Sequence, residues 1–122
     1  MNTWVAVFLG GGAGSIVRFG ISKAVIAMQL KSAFPFATLI SNLLASVLLA
    51  WLVLRFGVLQ PGREHWQALL AIGFCGGFST LSTFSMENYT MLRDGMIGMA
   101  LLNIVVSVAL GILVFQLFAR SA

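Results

Sequence analysis

The sequence predicts an all-α membrane protein of four transmembrane helices, the third of them broken at mid-membrane. Three observations carry that reading. The 122 residues are 60% hydrophobic and 8% charged, with a mean hydropathy of +1.03, whereas soluble domains carry about 25% charged residues. Four apolar stretches are long enough to cross a hydrocarbon core of about 30 Å. One of them, uncharged from Trp66 to Met86, ends in glycines and hydroxyl residues that a lipid-facing helix does not need. The length indicates one domain, residues 1–122, with spans at about 3–28, 34–55, 66–92 and 95–119.

The first span is apolar from Trp4 to Leu9 but lacks a basic leading region and a cleavage site, so it reads as a helix that stays, not a signal peptide. Its uncharged part, Asn2 to Val17, is short for a bilayer, so the helix continues through Arg18. Gly10 and Gly14 share a face, as do Gly11 and Ser15. Such small-xxx-small spacing lets another helix approach closely. Arg18 lies one turn further on that face, where it either snorkels to the interface or pairs within the protein.

Gln29 to Pro35 forms the first loop, with Lys31 at the surface and Pro35 suited to the first turn of the next helix. On the second span Thr38, Asn42, Ala45 and Ser46 recur at helical spacing, with Ser41 on the same side. An asparagine facing lipid is costly, so Asn42 turns towards protein or water. Arg55 to Trp66 is a turn-rich loop containing Pro61-Gly62, Arg63, Glu64 and His65.

The third span carries Gly73, Gly76 and Gly77, then Ser79, Thr80, Ser82, Thr83 and Ser85. Glycines weaken a helix, and lipid cannot answer the hydroxyls. Non-helical backbone at membrane depth is tolerated only where protein or a watery cavity surrounds it. A break here exposes carbonyls that hold a small cation and N–H groups that attract an anion. Phe84 is either packing or, through the positive edge of its ring, an unusual anion donor. Glu87 follows directly. The fourth span repeats Asn103, Ser107 and Gly111 every four residues, a second polar stripe.

Four spans place both termini on one side, with Arg55, Arg63 and Arg120; Lys23, Lys31 and Arg93 lie on the other, and Arg18 is ambiguous. Orientation normally follows an excess of Lys and Arg in cytoplasmic loops, and here there is almost none. The expectation is insertion in both orientations and an antiparallel, dual-topology homodimer with a twofold axis in the membrane plane. A single copy has two polar stripes and a broken helix to cover, and a second copy would bury them.

Nothing in the sequence supports an enzyme. The lone His65 sits in a loop, no nucleophile has a base beside it, and no phosphate-binding glycine loop with a lysine is present. Cys75 reads as a small buried packing residue. Neutral polar stripes and a helix break instead suit a permeation pathway.

The run Gly73-Phe74-Cys75-Gly76-Gly77-Phe78-Ser79-Thr80-Leu81-Ser82-Thr83-Phe84 closely resembles the third-helix signature of the CrcB/Fluc family of fluoride channels. Gly11-Gly12-Ala13-Gly14-Ser15-Ile16-Val17-Arg18 resembles its first-helix motif, and Thr38 with Asn42 its second; the fourth span is similar more loosely. The resemblance implies a fluoride-selective channel in the inner (plasma) membrane for passive export of cytoplasmic fluoride. It also implies two antiparallel pores per homodimer and a structural sodium ion at the dimer centre. By the same resemblance, Asn42 and Phe84 are pore residues, and Thr80, Ser82 and Thr83 lie in the hydroxyl run. Ser107 belongs to a polar track, Glu87 to a vestibule, and Thr38 and Arg18 to the second- and first-helix motifs. Gly76 and Ser79 would hold sodium through their backbone carbonyls.

This chain departs from the family at Leu81, where the resemblance calls for a first pore phenylalanine, and at Ala37 and Ala45, which replace glycines. Ser79 replaces threonine, which leaves a backbone ligand intact. Two other functions fit four short helices. A proton-coupled cation or drug exporter needs a carboxylate in the first helix, and this one has none. A non-transporting assembly subunit would use the hydroxyl stripes only to knit helices together.

Overall fold

The computed structural model describes residues 2–28 and 34–120. The first-loop expectation for Gln29 and Lys31 lies outside the described residues. Helix α1 is Thr3–Ala27, and Asn2 starts it by accepting the Trp4 N–H on Oδ1 at 2.8 Å. Helix α2 is Phe36–Phe56; its last turns, Leu52–Phe56, are widened, and Gly57 at φ +71° ends it. The third span, Glu64–Arg93, is two helices: α3 over residues 64–78 and α4, Leu81–Arg93. Gly95 at φ +81° turns the chain into α5, Ile97–Arg120, so the fourth helix starts two residues after the glycine.

All four spans are long and apolar enough to cross a membrane, and the described residues contain no strand. The chain is a multi-pass helical membrane protein. Trp4, Phe8, Ile16, Ile72, Val105 and Leu117 all point outwards, which is favourable where the surrounding solvent is lipid. Most of the buried apolar residues are small, namely Ala6, Ala45, Ala50, Ala68, Cys75 and Ala100, and four larger ones, Leu52, Val58, Phe78 and Met91, join them. Close backbone approach therefore makes much of the core, as is usual where lipid supplies no hydrophobic drive between helices, while Leu52 and Val58 pack with Cys75 in an apolar cluster.

The tightest of these approaches joins α1 to α3. Ala6, Gly10 and Gly14 are the buried residues of α1, spaced four apart on one face. A Cβ on Gly10 would meet the Leu69 carbonyl and come within 2.9 Å of the Phe74 nitrogen. One on Gly14 would meet the Phe74 carbonyl and lie 2.8 Å from the Phe78 nitrogen. Gly77 presses back on the Gly11 carbonyl. The small-residue face of the first helix thus docks on the half-helix that leads into the break. Helix α5 lies along α2, with Gly111 opposite Ser46, and α4 packs on α5.

Charged loop residues serve the helix ends. Arg63 donates from Nη1 to the Phe56 carbonyl and its guanidinium stacks over the Phe56 ring, 5.0 Å from the centroid. It thereby answers carbonyls that α2 leaves open at its C-terminus.

Candidate functional site

The third span breaks where its local chemistry offers the backbone an alternative. Ser79 is extended, at φ −93° and ψ 155°, and Thr80 likewise at −152° and 123°. The Ser79 hydroxyl donates to the Cys75 carbonyl at 2.8 Å, competing for a helical acceptor. Thr80 then starts α4, its Oγ1 accepting the Thr83 N–H at 3.3 Å. Between them, the Thr80 N–H leaves the helical pattern altogether and donates to Asn42 Oδ1 on α2 at 3.0 Å. In an unbroken helix that N–H would serve the Gly76 carbonyl.

Beside this bond lies a cavity of about 280 Å³ lined by Asn42, Ser46, Ser79, Thr80, Leu81, Phe84, Ser107 and Val108. Four residues expected in an anion pathway, Asn42, Thr80, Phe84 and Ser107, therefore meet in one place. A backbone N–H can only donate, so the Asn42 oxygen is committed to Thr80 and its Nδ2 is the donor it has left. The start of α4 adds the partial positive charge of a helix N-terminus. Leu81 is 75% exposed and lines the rim.

The other expected residues lie elsewhere. Ser82 is exposed, with its hydroxyl 3.1 Å from Thr80 Oγ1, and neither it nor Thr83 lines the cavity. Thr38, buried, and Glu87, half-buried, lie one turn along α2 and α4 from Asn42 and Phe84, outside this cavity. Glu87 lines a second cavity of about 320 Å³ with Thr90 and Asp94. Arg18 does not snorkel free: its Nε donates to the Gly77 carbonyl at 3.3 Å, on the α1 side of the break. That places a cation at the C-terminal end of a half-helix, where it is favourable.

Gly76 and Ser79, expected to hold a metal, share a cavity of about 170 Å³ with Ala45, Ser46, Leu49, Ala71 and Cys75. Gly76 is exposed, and a Cβ on it would meet nothing within 4 Å. No cluster of His, Cys, Asp and Glu able to hold a metal occurs among the described residues. Asn88, which sequence reasoning left without a role, is buried and bonds the Phe84 carbonyl from below at 2.9 Å. Its only sequence signal is its place one turn after Phe84.

The family description "CrcB-like protein, Camphor Resistance (CrcB)" matches residues 5–118. The chain belongs to the CrcB family. Among its CrcB relatives are proteins of Salmonella arizonae, Salmonella paratyphi B and Salmonella newport named "Fluoride-specific ion channel FluC". Each is 38% identical over 122 residues, covering 97% of this chain and 94% of the relative. The names describe an ion channel and not an enzyme. Within a CrcB chain, the cavity at the break unites residues from three spans that the sequence holds far apart.

Proposed function

We propose that this chain is a fluoride-selective channel through which cytoplasmic fluoride leaves the cell down its gradient. The observation that carries the proposal is the cavity at the break, where Asn42, Thr80, Phe84 and Ser107 converge without a charged side chain. Fluoride is small and strongly hydrated. A pathway for it needs dense donors to replace water, yet binding weak enough to let the ion go. The Asn42 amide, the Phe84 ring edge and the N-terminus of α4 are neutral and supply this. Thr38 and Glu87, one turn along, serve as an outer station of the same pathway, with Ser82 and Thr83 on the exposed side of α4.

The working unit we infer is an antiparallel homodimer with two pores, the break lying at mid-membrane in each copy. Support comes from the near-equal charge count on the two sides and from the exposed Gly76 surface beside the break. The Gly76 carbonyl, deprived of its helical donor by the Asn42–Thr80 bond, and the non-helical Ser79 carbonyl are hard oxygen ligands of the kind a sodium ion takes. Such an ion would supply fixed positive charge between the two copies. Arg18 holds the break from the other side.

Fluoride efflux from liposomes containing the purified protein, with chloride as the control anion, tests the function. Fluoride should leave and chloride should stay. Equal rates for the two anions, or no fluoride release, would refute the proposal. Flux that needs a proton gradient and Glu87 would favour an exporter instead.

A further inference from the structure

Behind the cavity wall runs a chain of three side-chain hydrogen bonds. Ser107 Oγ donates to Asn103 Oδ1 at 3.2 Å, Asn103 Nδ2 to Asn88 Oδ1 at 2.9 Å, and Asn88 Nδ2 to the Phe84 carbonyl at 2.9 Å. Asn103 is 1% exposed and Asn88 6%. A buried amide pair is retained at a cost unless its groups are satisfied, and here the bonds run in a single direction.

That direction is forced. A backbone carbonyl only accepts, so Asn88 must turn its NH2 towards Phe84. Its oxygen then faces Asn103, which must answer with its own NH2. Asn103 is left presenting oxygen to Ser107, and Ser107 must supply its hydroxyl proton. Serine has one such proton. Ser107 therefore shows the cavity its lone pairs while its donor is held behind the wall.

We propose that Asn103 and Asn88 are positioning residues of the pathway. They hold the Ser107 proton away from the anion and tie the Phe84 backbone to the fourth span. The wall is thus kept from gripping fluoride too tightly, since conduction needs a site that also releases. This inference rests on the fluoride-channel reading. It assigns a role to residues behind the cavity that do not touch the ion.

The test is fluoride flux against fluoride concentration for Asn103→Leu and Asn103→Ala, each also combined with Ser107→Ala. Dimer retention and thermal unfolding in detergent are measured alongside. Removing the Asn103 acceptor frees the Ser107 proton for the cavity. Both variants should lower the half-saturating fluoride concentration by about threefold or more and lower the maximal flux, as tighter binding slows exit. Adding Ser107→Ala should reverse the shift, because coupled groups give non-additive effects. Asn103→Asp keeps an acceptor for Ser107 and should not lower the half-saturating concentration. A folded Asn103→Leu or Asn103→Ala variant with an unchanged or raised value overturns the proposal, as does a shift that persists without Ser107. Failure of both to fold while Asn103→Asp folds makes the residue merely structural and also overturns it. If the wild-type protein carries no fluoride, both the channel reading and this inference fall; if it does, only the inference is at stake.

Discussion

Asn42 on α2 accepts the backbone N–H of Thr80 through Oδ1 at 3.0 Å, and this bond keeps the third span broken. It satisfies an amide that the start of α4 would otherwise leave open. It also fixes which end of the Asn42 amide remains to donate. One side chain thus shapes the backbone and faces the cavity.

The two roles of Asn42 separate by substitution. Asn42→Asp keeps an oxygen for Thr80 but replaces the NH2 donor with negative charge. It should keep its thermal midpoint within a few degrees while fluoride flux falls at least about tenfold, since like charge repels the anion. Asn42→Ala loses the acceptor too, and should cost about 1–3 kcal/mol of stability as well as flux. Liposome efflux paired with thermal unfolding reads both. Asn42→Asp with wild-type flux would remove Asn42 from the pathway.

Leu81 lines the same cavity as Phe84, three residues away on the first turn of α4. A leucine has no positive ring edge to offer. Leu81→Phe should raise fluoride flux severalfold, and Phe84→Ile should lower it by about tenfold or more, roughly one donor contact in a neutral site. Unchanged flux in both variants would mean that aromatic edges play no part here.

The α1–α3 contact admits no side chain at Gly14, because a Cβ there meets backbone atoms of Phe74 and Phe78. Backbone cannot step aside as a flexible side chain would. Gly14→Ala should destabilise by about 1–3 kcal/mol. Gly12→Ala, on the open face with nothing within 4 Å, should be neutral or slightly stabilising. Unfolding in detergent checks the pair, and equal stability of the two variants would contradict the packing.

Assembly gives a further prediction. A single cysteine placed in the loop after α2, in a Cys75→Ser background, should be labelled by an impermeant reagent on both sides of the membrane. Labelling from one side alone would rule out dual topology. Exchange of sodium for a large organic cation should promote dissociation of the dimer, read by single-molecule photobleaching; an unaffected dimer would dismiss the structural ion.

Much of the architecture was legible in the residues alone. Low charge and high hydropathy dictated a membrane protein, because no soluble core could absorb so much apolar surface. Gly10 and Gly14 announced a close helix contact by spacing, and the glycine–hydroxyl run before Phe84 announced a break, because both are local signals. Partners were not legible. No spacing rule says that Gly14 docks beside Phe74, that Arg18 turns inwards to the Gly77 carbonyl, or that Asn42 draws off the Thr80 N–H. Nor could the polar stripe on the fourth span reveal that Asn103 faces Asn88 and that the Ser107 proton points away from the cavity. A hydrogen bond joins two groups and has a direction. The sequence determined which groups each helix carries; only the packing of the helices decided which donor met which acceptor.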